Sequence, residues 1–274
     1  MDAFHEMIPE EYQTGTTTKY NDLAALRCEV YNSTEGHLPG FRCDKCKNRG
    51  YFAAIDGDGN DIRRECECMK IRKADMLMAN SGMQGLIERC TFDNYTNIGD
   101  WSEKAKSEAI RYANSDESTW LLFSGQTGAG KTHLCTAICS TLMRRGYSVR
   151  YVLWSALFKR FEGARFSDEK HDRIIRELIE PDILYIDDFL KCPNGKNSTA
   201  RPSDSALSYA LDAINVRYNS RKRTIISTEF FSDRLMELDA ALGGRISEMS
   251  ANSKIQIAED PTRNYRVRYL REKR

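Results

Sequence analysis

Five short apolar runs recur through the later part of the chain, at Thr119 to Ser124, Ser148 to Trp154, Ile183 to Ile186, Thr224 to Ser227 and Lys254 to Ile257, and each has the length of a β-strand. Between them lie helix-sized stretches: Lys131 to Arg145, Ala156 to Glu162, Asp168 to Ile179, Ser203 to Asn219 and Asp233 to Leu242. In the fourth of these, Leu207, Leu211, Ile214 and Tyr218 keep to one helical face after the stop signal Pro202 and the capping candidate Ser203. Strands alternating with helices predict an α/β fold, a mainly parallel sheet covered by helices on both faces.

The earlier part has another texture. The first forty residues are polar, with a weakly helical stretch from Asp22 to Tyr31 that carries Leu23, Leu26 and Val30. From Phe41 to Lys73 the chain is punctuated by Cys and Gly, and two strand-like runs, Tyr51 to Ile55 and Asp61 to Cys66, flank the turn-rich Asp56-Gly57-Asp58-Gly59-Asn60, which predicts a hairpin. Asp56, Asp58, Asn60 and Glu67 imitate the ligand spacing of a calcium loop, but Asp61 stands where that loop needs glycine. After a Met-bearing stretch from Asp75 to Gly85, an amphipathic helix is predicted from Ser102 to Asn114. The domain boundary is expected between Ala79 and Gly85, giving a small domain over 1–85 and a large one over 86–274.

Composition narrows the class. With 41% hydrophobic and 30% charged residues in 274, the chain is neither disordered nor low-complexity. The net charge of +1 leaves no global positive field, so contact with nucleic acid has to come from local clusters. Such clusters are Arg144-Arg145, Arg221-Lys222-Arg223 and a basic tail from Arg263 to Arg274 that interleaves Tyr265 and Tyr269; the tail suits single-stranded DNA and equally a solvated end. The acidic start, Met1 to Glu6, is no signal peptide, and no apolar run reaches the roughly 18 residues of a membrane span. A reducing, cytoplasmic location is therefore expected, where clustered cysteines point to metal and not to disulfides.

The most specific motif follows the first large-domain strand. Gly125-Gln126-Thr127-Gly128-Ala129-Gly130-Lys131-Thr132 fits the phosphate-binding loop G-x-x-x-x-G-K-[ST] in its required strand–loop–helix context. Glycines let successive backbone N–H groups face phosphate oxygens, and the following helix turns its positive end to the same anion. Lys131 would meet the β- and γ-phosphates, and Thr132 would join the shell of a Mg²⁺ ion. The run Ile183 to Ile186 ends in two acids. Asp187 is placed to hold that magnesium directly or through water, and Asp188 to orient or deprotonate an attacking water or else to cap a following helix.

Cys43-x₂-Cys46 is separated by nineteen residues from Cys66-x-Cys68, one thiol pair on each side of the predicted hairpin. That is a tetrahedral Zn²⁺ pattern, and so short a segment would draw its folding free energy from the metal. His37 and Cys28 are substitute ligands of lower rank. Cys135 and Cys139 read as packed core, and no role is argued for Cys28, Cys90, Cys135, Cys139 or Cys192.

From Arg89 to Arg266 the chain resembles the AAA+ ATPases of the helicase-loader group, which includes bacterial DnaC and DnaI and the related transposition helper IstB. The resemblance is carried by the loop through Thr132 with His133-Leu134, by Asp187-Asp188, by Ile214 to Tyr218 ahead of Arg223 to Thr228, by Gly243-Gly244-Arg245-Ile246, and by Asn264-Tyr265-Arg266. It implies an ATP site running from Gly125 to His133 and a first sensor after the strand Thr224 to Ser227. Relatives read Thr-Ser-Asn there; this chain has Ser227-Thr228-Glu229, and Thr228 is the expected sensor, since Glu229 would repel phosphate unless a metal or a lysine intervened. It further implies that Arg245, after a helix ended by Gly243-Gly244, acts as an arginine finger in a neighbouring subunit, so that ATP binding drives self-association. Arg217 is a second charge sensor or a partner of an acid on its own helix. Lys159, Arg160 and Arg165 lie where the group carries a helical element lining the DNA path. The cysteine module resembles that of DnaI-type loaders, where it engages the replicative helicase. The expected function is an ATP-dependent loader that delivers the replicative helicase to single-stranded DNA; the alternatives are an IstB-like helper acting on duplex DNA with a transposase, and an adaptor with a vestigial site.

Overall fold

The computed structural model describes residues 17–40, 42–191 and 200–267. Cys192 and the tail beyond Val267, with Tyr269, lie outside them. Contacts divide the chain into two compact units, Met1–Lys73 and Ala74–Arg274. The division falls ahead of the stretch Ala79 to Gly85 expected from sequence, inside the helix that runs from Cys68 to Asn80.

In the first unit, α1 (Thr17–Ser33) extends beyond the stretch expected from sequence. The hairpin forms as predicted from β1 (Tyr51–Ile55) and β2 (Asp61–Glu65), antiparallel, with Tyr51 opposite Glu65. Asp56 closes its turn by accepting the N–H groups of Asp58 at 3.0 Å and Asn60 at 2.8 Å, an Asx turn in place of a calcium loop. The Asn32 side chain pairs with the backbone of Ala53 in both directions, at 2.9 and 3.0 Å, and so ties α1 to the outer edge of β1. The helix α2 (Cys68–Asn80) follows.

The second unit continues through α3 (Gln84–Ile87), α4 (Asp100–Asn114), β3 (Leu121–Gly125), α5 (Lys131–Arg144), β4 (Val149–Leu153), α6 (Trp154–Ala164), α7 (Asp168–Ile179), β5 (Ile183–Phe189), α8 (Asp204–Asn219), β6 (Thr224–Thr228), α9 (Ser232–Leu238), α10 (Ala240–Met249) and β7 (Lys254–Ile257). The five strands form one parallel sheet in the order β4-β5-β6-β3-β7. Successive strand residues sort to opposite faces. Leu121, Phe123, Ile183 and Tyr185 enter a core with α4 and α5, while Leu122, Leu184 and Ile186 enter another with α6, α7, α8 and α10. The Ser203 hydroxyl caps α8 by accepting the N–H of Ala206 at 3.2 Å. Among the described residues no helix is long and apolar enough to cross a membrane.

Two expectations are corrected here. The stretch from Asp233 is not one helix but two, because Asp239 is extended (φ −158°) and caps α10 by accepting the N–H of Leu242 at 2.8 Å. Nor do Gly243 and Gly244 end a helix: both lie inside α10, where a Cβ on Gly243 would come within 2.6 Å of the Leu235 carbonyl carbon. This glycine permits the close approach of α9 and α10. Arg217, in turn, is neither a charge sensor nor the partner of an acid on α8. It is fully buried and donates to the carbonyls of Leu178, Ile179, Pro181, Asp182 and Arg223, stapling the end of α7 to β5 and β6.

Candidate functional site

The loop from Gly125 to Thr132 joins β3 to α5, as its motif required. Gly130 is the N-cap of α5 in the left-handed region (φ 85°), and a Cβ there would stand 2.9 Å from the Tyr95 ring. Lys131 folds back over the loop and donates to the carbonyls of Gly125 at 2.8 Å and Gln126 at 3.0 Å. Burial pulls its ammonium below the ordinary lysine range, against the opposing pull of Glu229 and Asp188.

At the end of β5, Asp187 is 4% exposed and surrounded by donors. The Thr132 hydroxyl reaches its Oδ1 at 3.1 Å, Tyr185 donates to the same oxygen at 2.8 Å, and Tyr151 donates to Oδ2 at 3.2 Å. Ser227 also donates to Oδ1. The strand register with β6 slips between Ile186 and Phe189, and Asp188 takes a left-handed conformation (φ 51°) that turns its carboxylate into the cleft. There Asp188 accepts from Lys191 at 3.2 Å, and among the described residues 189–191 just after it none is helical.

The expected sensor is not in the cleft. Thr228 is fully buried, donates to the Phe189 carbonyl at 2.9 Å and accepts the N–H of Phe230 at 3.1 Å. The next residue faces the cleft: Glu229 accepts the hydroxyl of Thr127 in the loop and an ammonium bond from Lys191 at 3.0 Å. Thr228 is the last residue of β6 and is fully buried, whereas Glu229, one residue beyond the strand, turns to the cleft. Lys191, which the sequence did not single out, is thus the lysine that intervenes beside Glu229.

The cleft encloses about 500 Å³. Its far wall comes from segments for which sequence suggested no contact with the loop. His133 donates from Nε2 to the Thr91 carbonyl at 2.8 Å and meets Tyr95 edge-on at 5.3 Å, which fixes the stretch before α4 against α5. Gln126 holds the backbone of Asp260 on both sides, donating at 2.9 Å and accepting at 2.6 Å, and the N–H of Tyr265 donates to the Gly128 carbonyl at 3.0 Å. Arg266 is thereby brought to the cleft edge. The order of the motif Asn264-Tyr265-Arg266 was visible in the sequence; its contact with the loop was not.

In the first unit the sulfurs of Cys43, Cys46, Cys66 and Cys68 lie within 4.8 Å of one another. Cys43 and Cys66 are 3.9 Å apart, and Cys46 and Cys68 3.5 Å. A tetrahedral zinc with bonds of about 2.3 Å has edges of about 3.8 Å, so the four thiols fit that metal. The turn after Cys46 uses left-handed Lys47 and Asn48, and Asn48 Oδ1 accepts the N–H of Cys43 at 2.8 Å. Burial pushes the Cys68 thiol up to about 12; it acts in the same direction on Cys46, but the Gly50 N–H and neighbouring thiols bring that group down to about 6.

The remaining candidates lie elsewhere. Arg245 is half-buried on α10, donating to the Ala241 carbonyl at 2.9 Å with its guanidinium 5.5 Å from the Tyr218 ring. Two residues of the basic run Arg221-Lys222-Arg223 are spent on backbone, Lys222 donating to the carbonyls of Ile179 and Glu180 at 2.8 and 2.9 Å and buried Arg223 to that of Tyr112 at 2.6 Å, while Arg221 is exposed and pairs with Glu248 at 3.6 Å. Arg160 pairs with Glu177 at 2.9 Å, whereas Lys159 is exposed and exposed Arg165 lies 5.5 Å from the ring of Phe166, which is 94% exposed.

A phosphate loop at the edge of a parallel sheet, with one strand interposed between the loop strand and the acid-bearing strand, defines a nucleotide-binding domain of the AAA+ type. Residues 62–228 match the model of the IstB-like ATP binding protein family. The phage-like element PBSX protein XkdC of Bacillus subtilis is 30% identical over 237 residues, covering 81% of this chain and 85% of that protein. The replicative helicase loader DnaC of Escherichia coli is 31% identical over 133 residues, and the match spans 46% of this chain and about half, 52%, of the loader. A crystal structure of the DnaC helicase loader superposes with a TM-score of 0.50 at 25% identity, over 62% of this chain and 98% of that one. The chain belongs to the IstB-like ATP binding protein family.

Proposed function

We propose that the protein is an ATP-driven loader of the replicative DNA helicase, which binds the helicase and delivers it to single-stranded DNA. The observation that carries the chemical part is the approach of the Thr132 hydroxyl to the Asp187 carboxylate, 3.1 Å apart, at the end of the phosphate loop. Two hard oxygen donors in that position suit Mg²⁺, and the glycines of the loop leave the room that a phosphate chain needs. When bound, magnesium would neutralise charge on the phosphate oxygens. Lys131 would leave its two carbonyls for the β- and γ-phosphates. Asp188, turned into the cleft, would align a water for in-line attack and accept its proton. Arg245 would act on the site of a neighbouring subunit, so that ATP binding brings subunits together and hydrolysis to ADP and phosphate releases them.

The loader role rests on the relatives named as helicase loaders. In this reading the first unit is a zinc-bound module that recognises the helicase, and the second is an ATPase domain that changes state. Single-stranded DNA would meet the exposed Arg165–Phe166 pair and the exposed Lys159.

The test combines turnover with capture. The protein is expected to hydrolyse ATP, to lose this with Lys131→Ala or Asp187→Asn, and to retain a replicative helicase in pull-down until Cys43 and Cys46 become Ser. Failure to bind a helicase together with cooperative binding to duplex DNA would favour the transposition-helper reading instead. Mixing Arg245→Ala with Lys131→Ala protein checks action in trans: turnover that is independent of protein concentration excludes it.

A further inference from the structure

We propose that Lys191 is the side chain by which this protein distinguishes a nucleoside triphosphate from a diphosphate, and that Glu229 is the partner that holds it ready. The inference rests on reading the cleft as a nucleotide site.

Lys191 stands two residues beyond the end of β5, and Glu229 one residue beyond the end of β6. Their charged atoms are 3.0 Å apart, and the same ammonium lies 3.2 Å from Asp188. Glu229 also accepts the hydroxyl of Thr127, so the pair links the acid edge of the sheet to the phosphate loop. The Glu229 side chain is only 4% exposed. A buried carboxylate facing an arriving polyphosphate is strongly unfavourable unless a cation stands between them.

The cleft region carries three acids, Asp187, Asp188 and Glu229, against two ammonium groups, Lys131 and Lys191, with the guanidinium groups of Arg89 and Arg266 also in its lining. Lys131 belongs to the loop itself, which any phosphate chain engages. The charge added by a third phosphate falls at the end of the chain, toward Thr132 and the acid edge, and Lys191 is the second cation there. An ammonium has three donors. Two point at Asp188 and Glu229, and its flexible stem lets the third meet a terminal phosphate oxygen without giving up both carboxylates. In this arrangement Glu229 does not contact phosphate; it fixes the position and charge of the lysine that does. Lys191 thus takes over the task of the polar sensor, and Thr228 is free to serve the backbone.

Calorimetric titration of the full chain with ADP and with a non-hydrolysable ATP analogue tests this. Lys191→Ala is expected to weaken the ATP analogue about ten-fold or more, the size of one lost charge-assisted hydrogen bond, while ADP affinity changes by less than about two-fold. Lys191→Arg should restore most of the discrimination. Glu229→Gln, which takes away the charge that holds the lysine in place, should weaken the analogue about three-fold with ADP affinity nearly unchanged, and it provides an answer should the alanine variant fail to fold. Equal weakening of both nucleotides by Lys191→Ala, no weakening of either, or an analogue affinity that is unchanged or raised in Glu229→Gln would overturn the proposal. If the unaltered protein binds neither nucleotide, the nucleotide reading of the cleft fails and takes this assignment with it.

Discussion

The phenol of Tyr185 holds the carboxylate of Asp187 from two positions back on the same strand, with its hydroxyl 2.8 Å from Oδ1. Residues two apart on a strand share a face, so β5 carries both the acid and the group that orients it. Burial, above all, raises the Tyr185 phenol well above its ordinary range and keeps it a neutral donor.

Tyr185→Phe should therefore leave the fold intact and loosen the acid. The expected outcome is a fall in kcat for ATP of about ten-fold with KM nearly unchanged, as befits one lost hydrogen bond to a charged group. Steady-state kinetics beside a thermal melt will check it; a melting point that collapses in parallel would make Tyr185 a core residue only.

The two glycines of α10 should respond in opposite directions. At Gly243 a methyl group would strike the backbone of Leu235 and Met236, and Gly243→Ala is expected to cost about 1–3 kcal/mol. At Gly244 nothing lies within 4 Å of an added Cβ, and Gly244→Ala should stabilise by about 0.5–1 kcal/mol through helix propensity. Urea unfolding of the two variants decides the matter.

Arg217→Met keeps much of the volume but abandons the carbonyls of α7, β5 and β6. A loss of about 3 kcal/mol or more is expected, since each orphaned buried acceptor costs about 1–3 kcal/mol. Arg217→Lys should recover less than half, because a single ammonium cannot reproduce a planar fork. Denaturant midpoints measured at constant slope are the check.

Metal analysis should find one zinc per chain, released by chelator and absent after Cys43→Ser with Cys46→Ser. Because the thiols must lose protons to bind, zinc affinity should fall as the pH is lowered. Loss of zinc is expected to unfold the first unit while nucleotide binding by the second persists within about two-fold, which far-UV circular dichroism and titration can read separately.

Much of this was legible beforehand for physical reasons. Strands buried on both faces are continuous apolar runs, and the five runs are the five strands of the sheet, with ends shifted by at most a few residues. The loop from Gly125 to Thr132 was recognisable because its chemistry dictates both residue types and spacing. What stayed hidden depends on contacts between distant segments. Gly243 looks like a stop signal in isolation and becomes a helix residue only because α9 crowds it. Arg217 sits at a position of helical polarity, and nothing local reveals five carbonyls converging on it. Thr228 was preferred over Glu229 on charge, a sound argument that omitted Lys191, far off in sequence and 3.0 Å away in space.

The grip of Gln126 on Asp260, with the Tyr265 N–H on Gly128, means that the phosphate loop is braced by residues more than a hundred positions downstream. Shortening the protein before Asp260 would remove a wall of the cleft and not a dispensable end, and a bulky fusion joined close after Arg266 would press on the loop.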